Sequence, residues 1–133
     1  MAIKQKLKQS NNINREIDSL IEVAETLRSK AERTTASIGD STSAHDPHSR
    51  ELIIAKLVDT ERLISERIDC LCDLQNEIVS TIAKIPDSTH RLILTMRYMD
   101  KVSLTEIARA LNYTYRHINR LHNEAVREYE KMS

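Results

Sequence analysis

Apolar residues in the first part of the chain recur at alternating steps of four and three: Ile13, Ile17, Leu20, Ala24, Leu27 and Ala31. That spacing lines them along one stripe of an α-helix and predicts a helix within residues 1–36. Its start is left open, because Ser10-Asn11-Asn12 can cap a helix or sit inside one. The pattern stops over residues 37–49, a polar stretch that holds the only glycine, Gly39. This stretch reads as a flexible link, near the end of which Asp46-Pro47 offers an N-cap followed by proline at the first helical position. A second register then runs through Ile54, Leu57, Glu61, Ile64, Ile68, Leu71, Gln75, Ile78, Ile82 and Ile85, until Pro86 ends it. Leu63, Cys70 and Leu74 widen its apolar face beyond a two-stranded seam. The expected structure is a long antiparallel helical hairpin, each arm on the order of 50 Å at the helical rise. A face that broad calls for more than one opposing helix, so residues 1–86 are expected to form a coiled-coil-like hairpin that dimerises.

Beyond Pro86 the spacing changes. Asp87-Ser88-Thr89 offers caps for a helix carrying Leu92, Ile93, Met96 and Met99. Ser103-Leu104-Thr105-Glu106 has the form of a capping box, in which the Ser103 hydroxyl bonds the Glu106 backbone N–H and the Glu106 carboxylate reaches back. Leu104, Ile107, Ala108 and Leu111 then share one face, and Asn112 suits the left-handed turn that ends such a helix. Thr114 is the expected N-cap of the last helix. Two short-linked amphipathic helices with a third behind them make a helix-turn-helix that can bury its apolar faces. Residues 87–133 are therefore expected to form a three-helix, DNA-binding domain, and the whole chain to be all-α.

Charge agrees with this division. Residues 1–87 hold 12 Lys/Arg against 15 Asp/Glu, net −3, while residues 88–133 hold 8 against 5, net +3. The positive excess sits where contact with phosphate is expected. Stepping 100° per residue from Ile118 places Leu121, Ala125, Tyr129 and, less centrally, His122 on the inner side of the last helix. Its outer side collects Arg116, Arg120, Asn123 and Arg127, with Asn119 beside them and Glu124 and Glu128 toward the edge. Arginine forks match guanine edges and asparagine matches adenine. Residues near the N-terminus of a recognition helix enter the groove deepest, which makes Tyr115, Arg116, Asn119 and Arg120 the candidates for base contact. Arg97, Lys101, Arg109, Thr114, Asn123 and Arg127 are candidates for phosphate contact, which fixes register without reading sequence.

The stretch from Ile85-Pro86-Asp87 to Glu130 resembles the C-terminal promoter-recognition region of bacterial sigma factors. The residues that carry the likeness are Leu92 to Tyr98, then Ser103-Leu104-Thr105-Glu106-Ile107-Ala108, then Ile118, Leu121, Ala125 and Val126. The resemblance implies a sigma-like helix-turn-helix acting on promoter DNA, with RNA polymerase as a second partner. The outward positions differ from those of primary sigma factors, which implies a different DNA sequence. With no Phe, no Trp and no Tyr before Tyr98, the chain lacks the aromatic-rich region with which sigma factors melt promoters. The helical first half joined to this tail resembles the small phage regulators of the ArpU/RinA type, which implies control of transcription.

The remaining chemistry is sparse. Cys70 and Cys72 stand about 200° apart on a helix, so they cannot converge on a metal or on each other, and packed thiols are expected. His45 and His48 have no further ligand in view, and Asp69 and Asp73 have no companion pair. His117 and His122 lie on different faces of the last helix, where packing or phosphate contact suits them better than metal. No nucleophile elbow or phosphate-binding glycine loop is present, so no enzyme and no cofactor are expected. Lys4, Lys6 and Lys8 are expected on a frayed terminus. No stretch resembles a signal peptide or a membrane span, which implies a cytoplasmic protein. Two alternatives stay open at this point: a polymerase-binding module that never reads DNA, and a small terminase-like packaging subunit.

Overall fold

The computed structural model describes residues 2–36 and 47–133, all of whose regular elements are helical. In chain order these are α1 (Ile3–Ala36), α2 (Pro47–Ala83), α3 (Ser88–Leu94), a π-helical segment (Thr95–Met99), α4 (Leu104–Leu111) and α5 (Tyr115–Met132). The fold is the all-α architecture expected, with long helices preceding a helix-turn-helix. Residues 37–46, including Asp46 and His45, lie outside the described residues. Residues 47–49, expected in the link, already belong to α2.

The chain divides into two compact units, residues 12–71 and residues 1–11 with 72–133. The boundary expected at residue 86 therefore falls inside the second of these.

In the unit formed by residues 12–71, α1 and α2 run antiparallel, linked by ion pairs from Glu16 to Arg67 at 2.8 Å and from Arg28 to Glu61 at 3.1 Å. On α1 the expected stripe faces inward, with Ile17 and Ala24 buried. On α2 only half of the expected register does. Leu57, Ile64 and Leu71 are half-buried, but Ile54, Glu61 and Ile68 are exposed, and Ile53, Thr60 and Arg67 take the alternating inner positions. The reason is that α2 carries two overlapping apolar stripes. The register adopted places Glu61 and Arg67 beside their α1 partners and lays the Arg67 stem along the seam. It also corrects the expectation for the cysteines. Leu71 points toward the seam, so Cys70 and Cys72 fall on either side of it and both are exposed.

In the other unit, Ile78, Ile82 and Ile85 from the end of α2 form a core with Leu94, Tyr98, Ala125 and Tyr129. Ile3 joins the same core and is fully buried, with Leu7 packed against it. The terminus is thus a helix, and Ser10-Asn11-Asn12 sit within it. Lys6 departs furthest from expectation. It is buried, pairs with Glu77 at 3.8 Å, and lies 5.7 Å from the centre of the Tyr129 ring, a cation–π distance. Two other polar residues are buried here without cost in lost bonds. The Ser10 hydroxyl donates to the Lys6 carbonyl at 3.0 Å, and the Thr81 hydroxyl donates to the Glu77 carbonyl at 2.9 Å.

The passage from α2 to α3 is held by Arg91, whose guanidinium donates to the carbonyls of Ile85 at 2.6 Å and Pro86 at 2.9 Å. Asp87 caps α3 by accepting from the backbone N–H groups of Thr89 and His90. Beyond Leu94 the helix widens into the π segment, closed by the Asp100 N–H donating to the Thr95 carbonyl at 3.1 Å. The Thr95 hydroxyl also donates to the Arg91 carbonyl at 2.8 Å, a competition that loosens regular α-helix.

Candidate DNA-binding face

Local chemistry builds the helix-turn-helix. Ser103 caps α4 by accepting from the Glu106 N–H at 3.2 Å. The reciprocal half of the expected capping box is replaced, because the Glu106 carboxylate meets Arg109 at 3.4 Å instead. Asn112 closes α4 in the left-handed conformation, φ 59° and ψ 39°, and the Tyr113 N–H donates to the Ala108 carbonyl at 2.9 Å. Thr114 caps α5, its hydroxyl accepting from the His117 N–H at 3.1 Å. A small core of Ile93, Ile107, Ala108 and Ile118, with Leu104, Leu111 and Leu121 against it, locks the three helices together.

His122, which the helical wheel placed less centrally, is buried, and its Nε2 lies 2.8 Å from the Tyr98 hydroxyl on the π segment. The rings stack with centres 5.7 Å apart. Burial pushes the His122 imidazole below its ordinary value, and the charges of Lys4 and Arg97 act in the same direction, against a hydrogen bond that the imidazole donates to Asn123. Burial pushes the Tyr98 phenol up, partly offset by Arg97. Both groups are therefore neutral near pH 7, and the pair is a packing element that sets α5 against the π segment.

With that inner side fixed, Tyr115, Arg116, Asn119, Arg120, Asn123 and Arg127 are all exposed. A shallow concavity of about 560 Å³ is lined by Thr114, Arg116, His117, Asn119, Arg120 and Asn123. It brings together three base-contact candidates and two phosphate-contact candidates. His117, read from the sequence as suited to packing or phosphate contact but placed in neither set, joins them, its ring 4.7 Å from that of Tyr113 in the turn. A helical wheel of α5 alone gives no sign of this, because Tyr113 precedes the helix. Tyr115 and Arg127 lie outside the concavity, the Arg127 Nε donating to the Asn123 carbonyl at 3.4 Å.

The other phosphate candidates are spread wider. Arg109 is exposed beside Glu106. Lys101 is exposed in the left-handed region at φ 58°, in the loop before α4. Arg97 is half-buried and donates to the Val102 carbonyl at 3.4 Å, so it also fastens that loop. Glu124 is closer to the reading face than its place at the edge suggested, with a carboxylate oxygen 3.9 Å from the Arg120 Nε. Among the described residues, no group of three or more His, Cys, Asp or Glu stands ready to hold a metal ion, and no helix is long and apolar enough to cross a membrane.

The family model for sigma-70, region 4, matches residues 87–128. Over this segment the chain is similar to sigma-70 region 4. The match begins at the Asp87 cap and ends one residue before Tyr129 joins the core, so it covers all of α3 and α4 and most of α5. Region 4 is a DNA-binding regulatory domain rather than an enzyme family, and the likeness supports a sigma-like DNA-binding transcription regulator. No curated protein and no solved structure matches the chain.

Proposed function

We propose that this protein is a sequence-specific, double-stranded DNA-binding transcription regulator that acts at promoters, in the manner of the small phage regulators it resembles. The observation that carries the reading is the two-sided character of α5. Ile118, His122, Ala125 and Tyr129 are buried in the fold, while Arg116, Asn119, Arg120 and Asn123 stand exposed around one concavity. Guanidinium forks and amides are the groups that read major-groove edges, and a capped helix N-terminus delivers them there. Tyr115, Arg116, Asn119 and Arg120 are assigned to bases, and Arg97, Lys101, Arg109, Thr114, Asn123 and Arg127 to phosphates. RNA polymerase is the second partner, in keeping with a region 4 domain.

The protein works as a homodimer joined through α2. Ile54, Val58 and Ile68 are exposed on α2 at 42, 47 and 44%, along a stripe of which the adopted register engages only Glu61, through its ion pair with Arg28. Their spacing continues through Glu61 and Ser65 at coiled-coil steps, so a second copy of the same helix is the partner that matches it. Selection of duplexes from a random pool by the purified protein, with and without RNA polymerase, tests the function. Enrichment of a defined motif is expected, and enrichment of none overturns sequence-specific reading.

A further inference from the structure

An acidic residue beside a DNA-reading arginine needs an explanation, because a carboxylate near the duplex repels phosphate. Glu124 is such a residue, one turn after Arg120 on α5, and it stands between two basic side chains. One of its oxygens lies 3.9 Å from the Arg120 Nε, and the other lies 3.5 Å from the His90 Nε2. The His90 side chain is only 12% exposed, and its Nε2 is also 3.9 Å from Asp87, the cap of α3. A line of contacts thus runs from the start of α3, through His90 and Glu124, to a guanidinium whose side chain is 67% exposed. All four residues belong to the same compact unit.

We propose that Glu124 determines sequence selectivity by positioning Arg120. This inference rests on the DNA-reading function proposed above and refines it. A free arginine has a flexible stem and can reach phosphates of any sequence, which adds affinity without discrimination. Tethered one turn along its own helix, the Arg120 fork is pre-oriented and gives up that phosphate contact. The Glu124 charge also weakens the approach of every duplex. The tether lowers non-specific binding more than binding at a site where Arg120 finds its base, whereas the charge effect is shared by all duplexes and leaves their ratio unchanged. His90 serves this arrangement by standing against the Glu124 oxygen that faces away from Arg120, so Glu124 and His90 are positioning residues and Arg120 is the reader.

The test measures affinities of the full-length protein for the selected duplex and for a random-sequence duplex across a salt series. Glu124→Gln is expected to raise random-duplex affinity and to lower the selected-to-random ratio by about tenfold. His90→Gln is expected to lower the ratio in the same direction, by less. In an Arg120→Ala background, Glu124→Gln is expected to leave the ratio unchanged, which a merely structural or overall-charge effect would not do. Glu128→Gln removes the same charge from a residue that pairs with Lys131 instead, and is expected to preserve the ratio. If Glu124→Gln keeps the wild-type ratio, or lowers it equally in the Arg120→Ala background, the positioning role is overturned while DNA reading stands. If the wild type itself prefers no duplex, the functional reading fails, and this inference with it.

Discussion

The Tyr98–His122 pair gives the most direct test of how the reading helix is held. Tyr98→Phe keeps the ring and its packing but removes the hydroxyl 2.8 Å from the His122 Nε2. The nitrogen is then left without a partner on a residue only 5% exposed. An orphaned buried polar group of this kind costs about 1–3 kcal/mol. His122→Leu is expected to cost a similar amount, because it strands the Tyr98 hydroxyl instead. The double variant exchanges both polar groups for apolar ones and is expected to be more stable than the sum of the singles by about 1 kcal/mol. Urea unfolding followed by far-UV circular dichroism gives all four values. pH supplies a second measurement. The folded His122 lies below its ordinary value of 6.5, so the unfolded chain takes up the proton first as pH falls. Stability from this group is complete above that value and declines as pH drops through 6.5 toward the lower folded value. His122→Leu is expected to flatten the slope in that window. Single variants that add within about 0.3 kcal/mol, with an unchanged pH slope, would refute the account.

Other outcomes can be checked in parallel. Arg116→Ala is expected to cost about 1–3 kcal/mol on the selected duplex and to relax base preference, whereas Lys101→Ala should weaken all duplexes alike and reduce the salt slope by about one; competition assays distinguish the two. Asn112→Ala is expected to destabilise by about 1 kcal/mol, because alanine tolerates the left-handed turn less well, and Asn112→Gly is expected to be neutral or stabilising in thermal melts. Ile3→Ala is expected to cost about 2–5 kcal/mol in urea, a loss that a frayed terminus would not produce. Ile54→Glu combined with Ile68→Glu is expected to yield a folded monomer by light scattering; a dimer surviving both charges would exclude this stripe as the contact.

The parts of the fold legible in the sequence are those set by local chemistry. Ser103, Asn112 and Thr114 act through bonds to residues within four positions of themselves, so their types and spacing suffice to place α4, the turn and α5. The exposed side of α5 is legible for the same reason, since Ile118 and Ala125 are both fully buried and fix its rotation. The pairing of α1 with α2 is less legible. Ile54 and Ile68 compete with Ile53, Thr60 and Arg67 for the seam, and the adopted choice goes with ion pairs to Glu61 and Arg67 that bridge distant parts of the chain. Lys6, Ser10 and Thr81 break an apolar pattern although they are buried, because backbone carbonyls or an aromatic ring meet their polar atoms. The π segment has no proline or glycine to announce it. His90 and Glu124, far apart in sequence, show no relation until α3 and α5 are packed.

The burial of Ile3 beneath Tyr98, Ala125 and Tyr129 bears on how this molecule can be dissected. A fragment cut at residue 87 would retain every group assigned to DNA, yet it would bare Leu94, Tyr98, Ala125 and Tyr129 to water. Such a piece would be sticky, and its self-association would be no measure of the dimer proposed through α2. The first turn of α1 thus serves as a lid for α5, and the domain takes its final form only when both segments are present.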